Sequence, residues 1–202
     1  MKKILILMAA ALVVLAPLAA RPKDNSRDAK KNAAAAAKLL RREGFKTLEL
    51  GNPESSLEKY FLKVNEGCRQ IVGTAEDCVS LNLAKITALT NAANEYASTS
   101  GGVVKGRIVS SASSLTDQQI DNIVASYERL VQARISGELV PCVIAYRTDR
   151  GRTSVRAYCL VDVPSALKAR KAALEMALAE QSLAEQYGSQ VSDWIAEGFD
   201  GM

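Results

Sequence analysis

The sequence predicts an α+β fold, a small and mainly antiparallel sheet of three to four strands backed by helices, and three observations carry that prediction. Leu139–Arg147 and Arg152–Val163 are β-rich runs separated by Thr148-Asp-Arg-Gly151, the signature of a hairpin. Thr116-Asp-Gln-Gln119 is a capping box, followed by Ile120, Ile123, Val124, Tyr127, Leu130 and Val131 at the spacing of one helix face. Pro164-Ser165 opens a long Ala-rich stretch with Leu167, Leu174, Leu178 and Leu183.

The chain begins with Lys2 and Lys3, an unbroken apolar run from Ile4 to Ala16, then Pro17 to Ala20, and turns polar at Arg21. This order predicts a signal peptide over residues 1–20, cleaved near Ala20. The apolar run falls short of the roughly 20 residues needed to cross a bilayer. No Cys lies near the cleavage point to accept a lipid. The mature chain is expected to be exported, soluble and periplasmic or beyond, and of a length that suits one domain.

Residues 21–66 are expected to form a basic helical N-terminal arm. Between Arg21 and Lys46 nine basic residues face three acidic ones, an imbalance suited to contact with an anionic surface or with the protein's own body. Ala29 to Glu43 reads as a helix driven by Ala propensity and ended by Gly44. Lys46 to Leu50 reads as a short extended piece, and Asn52-Pro53 as a turn. Ser56 is expected to cap a second helix with Leu57, Tyr60, Phe61 and Val64 on its apolar face.

Residues 67–163 are expected to form the α+β core. Arg69 to Gly73 is a short strand candidate, and Thr74-Ala-Glu-Asp77 resembles a capping box, with Asp in the place of Glu or Gln. The helix that follows is expected to hold Cys78 in its first turn. Its core stripe would be Val79, Leu83, Ile86, Thr90, Ala93 and Ala97, and Gly101-Gly102 would end it. Val103 to Ser110 then reads as a second strand, and Gly137 ends the helix that Thr116 caps. A hairpin loop over Asp149–Arg152 would set Cys142 opposite Cys159. Residues 164–202 are expected to be a C-terminal helical segment, interrupted at Gly188, that packs on the core or projects from it. Its last short helix carries Val191, Trp194 and Ile195.

The chain has no His, which removes Ser-His and Cys-His nucleophile pairs, His-based zinc sites and the commonest general base. The four cysteines lack zinc-ligand spacing and are read either as two disulfides, Cys68–Cys78 and Cys142–Cys159, or as small buried apolar residues. The carboxylates are scattered, and Gly101-Gly102 and Lys105-Gly106 lack the spacing of a phosphate-cradling loop. No catalytic residue, cofactor or metal site is therefore expected.

The candidate anion- or partner-binding residues are Arg147, Arg150, Arg152 and Arg156 of the hairpin, with Arg41 and Arg42 of the arm. Each offers a planar fork suited to carboxylate or phosphate. The competing reading is a solvated turn whose charges blunt a strand edge. The expected partners are an envelope protein or an anionic surface. Nucleic acid does not suit an exported protein, and a homo-oligomer is compatible with the sequence. Binding of a macromolecule is the expected role, with an anionic small-ligand or glycolipid module as the alternative.

Four segments carry a family resemblance: Lys38-Leu-Leu-Arg-Arg-Glu-Gly-Phe-Lys46, Ser56-Leu-Glu-Lys-Tyr60, Asn82-Leu-Ala-Lys-Ile-Thr-Ala-Leu89 and Leu139-Val-Pro-Cys-Val-Ile-Ala-Tyr-Arg147. In these the chain resembles the twenty-kilodalton lipoprotein-like family of bacterial envelope proteins, in particular exported members of unknown function. The resemblance implies a mainly antiparallel sheet backed by helices and transfers no catalytic residue. This chain departs from the lipoprotein members in lacking the lipidation cysteine.

Overall fold

The computed structural model describes residues 25–48 and 52–196, so the expected signal peptide lies outside the described residues. The chain runs α1 (Asn25–Arg42), β1 (Lys46–Thr47), α2 (Pro53–Asn65), β2 (Arg69–Cys78), α3 (Leu81–Ser111) and α4 (Asp117–Glu138). The hairpin β3 (Val140–Asp149) and β4 (Arg152–Val161) follows, then α5 (Val163–Glu180), α6 (Ala184–Tyr187) and α7 (Val191–Ala196). The four strands form one antiparallel sheet in the order β1-β3-β4-β2. The expected α+β class, with a small antiparallel sheet backed by helices, is what the chain adopts.

Alternation along the strands sends side chains to two different cores. Val143, Ala145 and Leu160 face a layer made by α1 and α2, with Ala33, Ala37, Leu40, Phe45, Leu57 and Tyr60. Ile71, Ala75, Ile144, Val155, Ala157 and Cys159 face α3, α4, α5 and α7. The basic arm is thus one full helical layer on the sheet. Gly44 ends α1 at a φ of 77°, and the Phe45 amide reaches the Leu40 carbonyl at 2.8 Å, a Schellman closure. α2 starts earlier than the Ser56 expectation: Asn52 accepts from the Glu54 amide at 3.1 Å, with Pro53 in the first turn.

The largest departure from the sequence reading is α3. Residues 74–77 continue β2 instead of capping a helix, Cys78 ends that strand, and Ser80 caps α3 through the Leu83 amide at 3.2 Å. The helix runs on through Gly101-Gly102 and takes in the whole of the expected strand 103–110. Its first half is buried through Ala84, Ala88 and Ala92 and its second half through Tyr96, Val104 and Ile108, whereas of the predicted stripe only Ala93 and Ala97 are buried.

The reason is close approach. α3 crosses β2 at Gly73, where an added Cβ would lie 1.9 Å from the Ala88 carbonyl oxygen. Only alanines fit between helix and strand at that separation, so Leu83 and Ile86 turn outward there. Farther along, Gly101 is buried against Glu128 of α4, where a Cβ would meet the carboxylate at 2.1 Å. Gly102 has nothing within 4 Å of such a Cβ.

These two neighbours therefore have opposite expectations. Gly102→Ala should stabilise by about 0.5–1 kcal/mol through helix propensity, whereas Gly101→Ala should destabilise because it must expel the Glu128 side chain. Urea unfolding of both variants checks the pair. A stabilising Gly101→Ala would show that α4 does not press on α3 there.

α4 and the hairpin follow the sequence closely. The Thr116–Gln119 capping box is present in both directions, and Ile120, Ile123, Val124, Tyr127, Leu130 and Val131 are all buried. The hairpin loop is shorter than expected: Asp149 pairs with Arg152, so Arg150 and Gly151 alone turn the chain, at φ of 48° and 76°. Both positive angles match a type I′ turn. A bulge at Cys142 breaks the expected pairing, since Pro141 opposes Cys159 and Val143 opposes Tyr158.

α5 ends at Glu180, well before Gly188. Ser182 takes a φ of 58°, and the Leu183 amide closes on the Leu178 carbonyl at 2.8 Å. Serine occupies the left-handed position usually given to glycine, so the sequence carried no stop signal there. The chain then doubles back. Val191, Trp194 and Ile195 are buried as expected, and the Trp194 indole donates to Ser111 Oγ at 2.7 Å. On α5 Leu174 and Leu178 are buried and Leu167 is exposed.

Candidate interaction surfaces

The hairpin arginines come together at one end of the sheet, but acids meet them there. Arg147, Arg150 and Arg152 line a cleft of about 390 Å³ with Glu76, Asp77, Asp149 and Ser154. Arg147 lies 3.6 Å from the Glu76 carboxylate and donates to the Glu43 carbonyl at 3.3 Å. Arg152 donates to the Asp77 carbonyl at 3.3 Å. Arg156 stands apart from this cleft, paired with Glu43 at 2.5 Å.

Phe45 is held between two guanidinium groups, Arg147 at 5.0 Å and Arg156 at 4.6 Å from its ring centre. The tip is thus a charge-balanced clasp that pins the α1–β1 connection to the hairpin. Arg147, Arg152 and Arg156 are engaged by the protein's own carboxylates, carbonyls and ring, while Arg150 stands exposed in the turn. The sequence could not show the acids arriving, since Glu43 sits about a hundred residues from Arg147.

Arg41 and Arg42 lie on a different surface. At 100° per residue, Arg27, Lys30, Lys31, Lys38, Arg41 and Arg42 of α1 fall within a sector of about 120° that does not overlap the buried Ala29, Ala33, Ala37 and Leu40. All six are exposed. Asp28, the acid of this helix, falls outside that sector, and Ala34 lies within it. Arg41 is engaged by Glu54 of α2.

A third surface is apolar. Leu83 and Ile86 are 46% and 54% exposed, on the side of α3 turned away from the sheet, and Val79, just before the Ser80 cap, is 67% exposed. The antiparallel contacts Lys105–Asp121 and Ser100–Tyr127 set the alignment of α3 with α4. By that alignment α4 ends before it reaches the first two turns of α3. The stripe that periodicity assigns to the core therefore stands uncovered.

Between α3 and α4 lies a polar groove of about 360 Å³ lined by Asn94, Ser98, Glu128, Arg129 and Gln132. Burial raises the Glu128 pKa above the usual carboxylate range, and Lys105 opposes the shift. A carboxyl whose folded pKa is raised opposes folding at neutral pH, and this cost vanishes once it is protonated in both states. Glu128→Gln should accordingly be the more stable protein at pH 7, with the difference shrinking as pH falls through the carboxylate range. Unfolding curves across that range check the sign.

Behind this groove Tyr127 shares a hydrogen bond with Ser100 and accepts Arg170 Nε–H at 3.2 Å. Arg170 is only 4% exposed. Burial raises the Tyr127 pKa, opposed by Arg170 and Ser100, so the phenol stays neutral and serves as a fixed acceptor.

Cys68, Cys78, Cys142 and Cys159 form no disulfide in the structure. Cys68 and Cys78 stand at the two ends of β2, whose ten residues at about 3.3 Å each far exceed the roughly 7 Å a disulfide spans. The proposed Cys68–Cys78 bridge is therefore ruled out by the strand between them. Cys142 is displaced by its bulge, and Cys159 is buried, with its thiol pushed up to about 11 by burial and by Cys142. A thiol held so high is a poor nucleophile.

Among the described residues no three His, Cys, Asp or Glu side chains gather to hold a metal ion, and no helix is long and apolar enough to cross a membrane. No family model, no curated protein and no solved structure matches the chain.

Proposed function

We propose that this chain is an exported, non-enzymatic protein of the bacterial cell envelope that acts by binding another macromolecule. The observation that carries the reading is the uncovered apolar stripe of Leu83 and Ile86 on α3, with the exposed Val79 just before its cap. A stripe of large apolar side chains left outside the core is costly to expose and marks a contact surface. The leader-like start, Lys2-Lys3 followed by Ile4 to Ala16, supports export. Resemblance to the twenty-kilodalton lipoprotein-like proteins belongs to the same proposal. Its four segments form the end of α1, the middle of α2, the start of α3 and most of β3, the elements that enclose the sheet.

Site-specific photocrosslinking in living cells tests this reading. A photoreactive side chain at position 83 should give one discrete adduct that Ile86→Asp removes. The same group at Glu175, exposed on α5, should give none. Protein recovered without an adduct from position 83, or with the same adducts from both positions, overturns it. So does turnover of a substrate by the purified chain that a single substitution abolishes.

A further inference from the structure

We propose that the outward face of α1 is a docking surface for an anionic phospholipid bilayer, a site separate from the apolar stripe on α3. The six cations from Arg27 to Arg42 run about 22 Å along one side of the helix at 1.5 Å per residue. Arg41 is shared with Glu54, which leaves five cations with no recorded ion pair among the described residues. Arg21 and Lys23 continue the same charge upstream in the sequence.

What separates this face from the arginine tip is neutralisation. At the tip Glu76, Glu43 and the Asp77 carbonyl already engage the guanidiniums of Arg147, Arg156 and Arg152. On α1 the chain spends its alanines on packing and leaves the cations to solvent. Alanine between them keeps the stripe flat and lets it approach a surface closely.

The composition of the stripe favours a bilayer over an acidic protein. A protein interface draws its affinity from desolvated aromatic or apolar anchors, and the cationic sector holds only charged residues and alanine. Leu39, the exposed leucine of α1, falls outside the sector. A lipid surface needs no such anchor, because each Lys or Arg near anionic headgroups contributes roughly a fivefold gain in binding. Binding of this kind is electrostatic and weakens sharply with salt.

The test is sedimentation of the full chain with vesicles of phosphatidylcholine alone or mixed with phosphatidylglycerol. The chain should pellet with the mixed vesicles and stay in solution with pure phosphatidylcholine. It should be released as salt rises from about 0.1 M to about 1 M, where the screening length falls from about 10 Å to about 3 Å.

Lys30→Glu, Lys31→Glu and Lys38→Glu together should lower partitioning by roughly a hundredfold, three of the fivefold steps. Lys168→Glu with Lys171→Glu, an exposed pair on α5, should leave it unchanged. Circular dichroism of both variants establishes that the fold is retained. Equal binding by the α1 variant, or equal binding to both vesicle types, overturns the proposal. So does capture by soluble polyglutamate with vesicle pelleting at background, which would make the partner an acidic macromolecule instead.

Discussion

Gly73→Ala should lower the stability of this protein by about 3 kcal/mol, or about 10 °C in melting temperature for a domain of this size. The added Cβ would stand 1.9 Å from the Ala88 carbonyl oxygen, 2.7 Å from the Ala92 amide nitrogen and 2.8 Å from the Ala92 Cβ. Two of those three atoms are backbone, so no rotamer change relieves the clash. α3 must lift from β2, and doing so opens the alanine seam of Ala84, Ala88 and Ala92, all of them fully buried.

Urea unfolding of Gly73→Ala beside Gly102→Ala isolates the cause. Both variants add the same methyl group, one at the helix–sheet contact and one in open space. A loss under about 1 kcal/mol at Gly73 would mean that α3 does not rest on β2 at the observed separation.

The second large effect is expected at Tyr127. Removing its hydroxyl takes an acceptor from the buried Arg170 guanidinium and a partner from Ser100 at once. Hydrogen bonds to charged groups contribute about 1.5–3 kcal/mol, and a buried group deprived of one carries its desolvation cost unrelieved. Tyr127→Phe should therefore destabilise by about 2–3 kcal/mol without changing the shape of the core.

A double-mutant cycle separates charge from packing. Arg170→Met fills similar volume without the charge, so Tyr127→Phe should cost far less in that background. If the two losses simply add, or if Tyr127→Phe alone falls within about 0.5 kcal/mol of the parent chain, the network contributes nothing to stability.

How far the candidate surfaces could be read from the sequence depends on the distance over which each is assembled. The cationic stripe of α1 is local: six basic residues in one eighteen-residue helix, with alanines marking the other face. The cluster of Arg147, Arg150 and Arg152 follows from a hairpin visible in its turn residues. Its neutralisation by Glu43 and Glu76 was not legible, because those acids come from separate segments brought in by the sheet order. The stripe on α3 was legible as a stripe and misplaced as core. Helical spacing groups residues on a face but does not say which neighbour that face meets.

By itself the sequence determined the α+β class, α2, α4, the hairpin and the buried residues of the last helix. Caps, turn residues and apolar spacing act within a few residues of chain and hold in any surroundings. Tertiary structure decided that α3 continues through Gly101-Gly102, that its first half buries Ala84, Ala88 and Ala92 and leaves Leu83 and Ile86 outside, and that α5 stops at a serine. Each of those outcomes turns on how closely two backbones approach. Where α3 meets Gly73 the helix carries alanines and the strand has no room for even a methyl group, and that separation exists only once helix and sheet are packed.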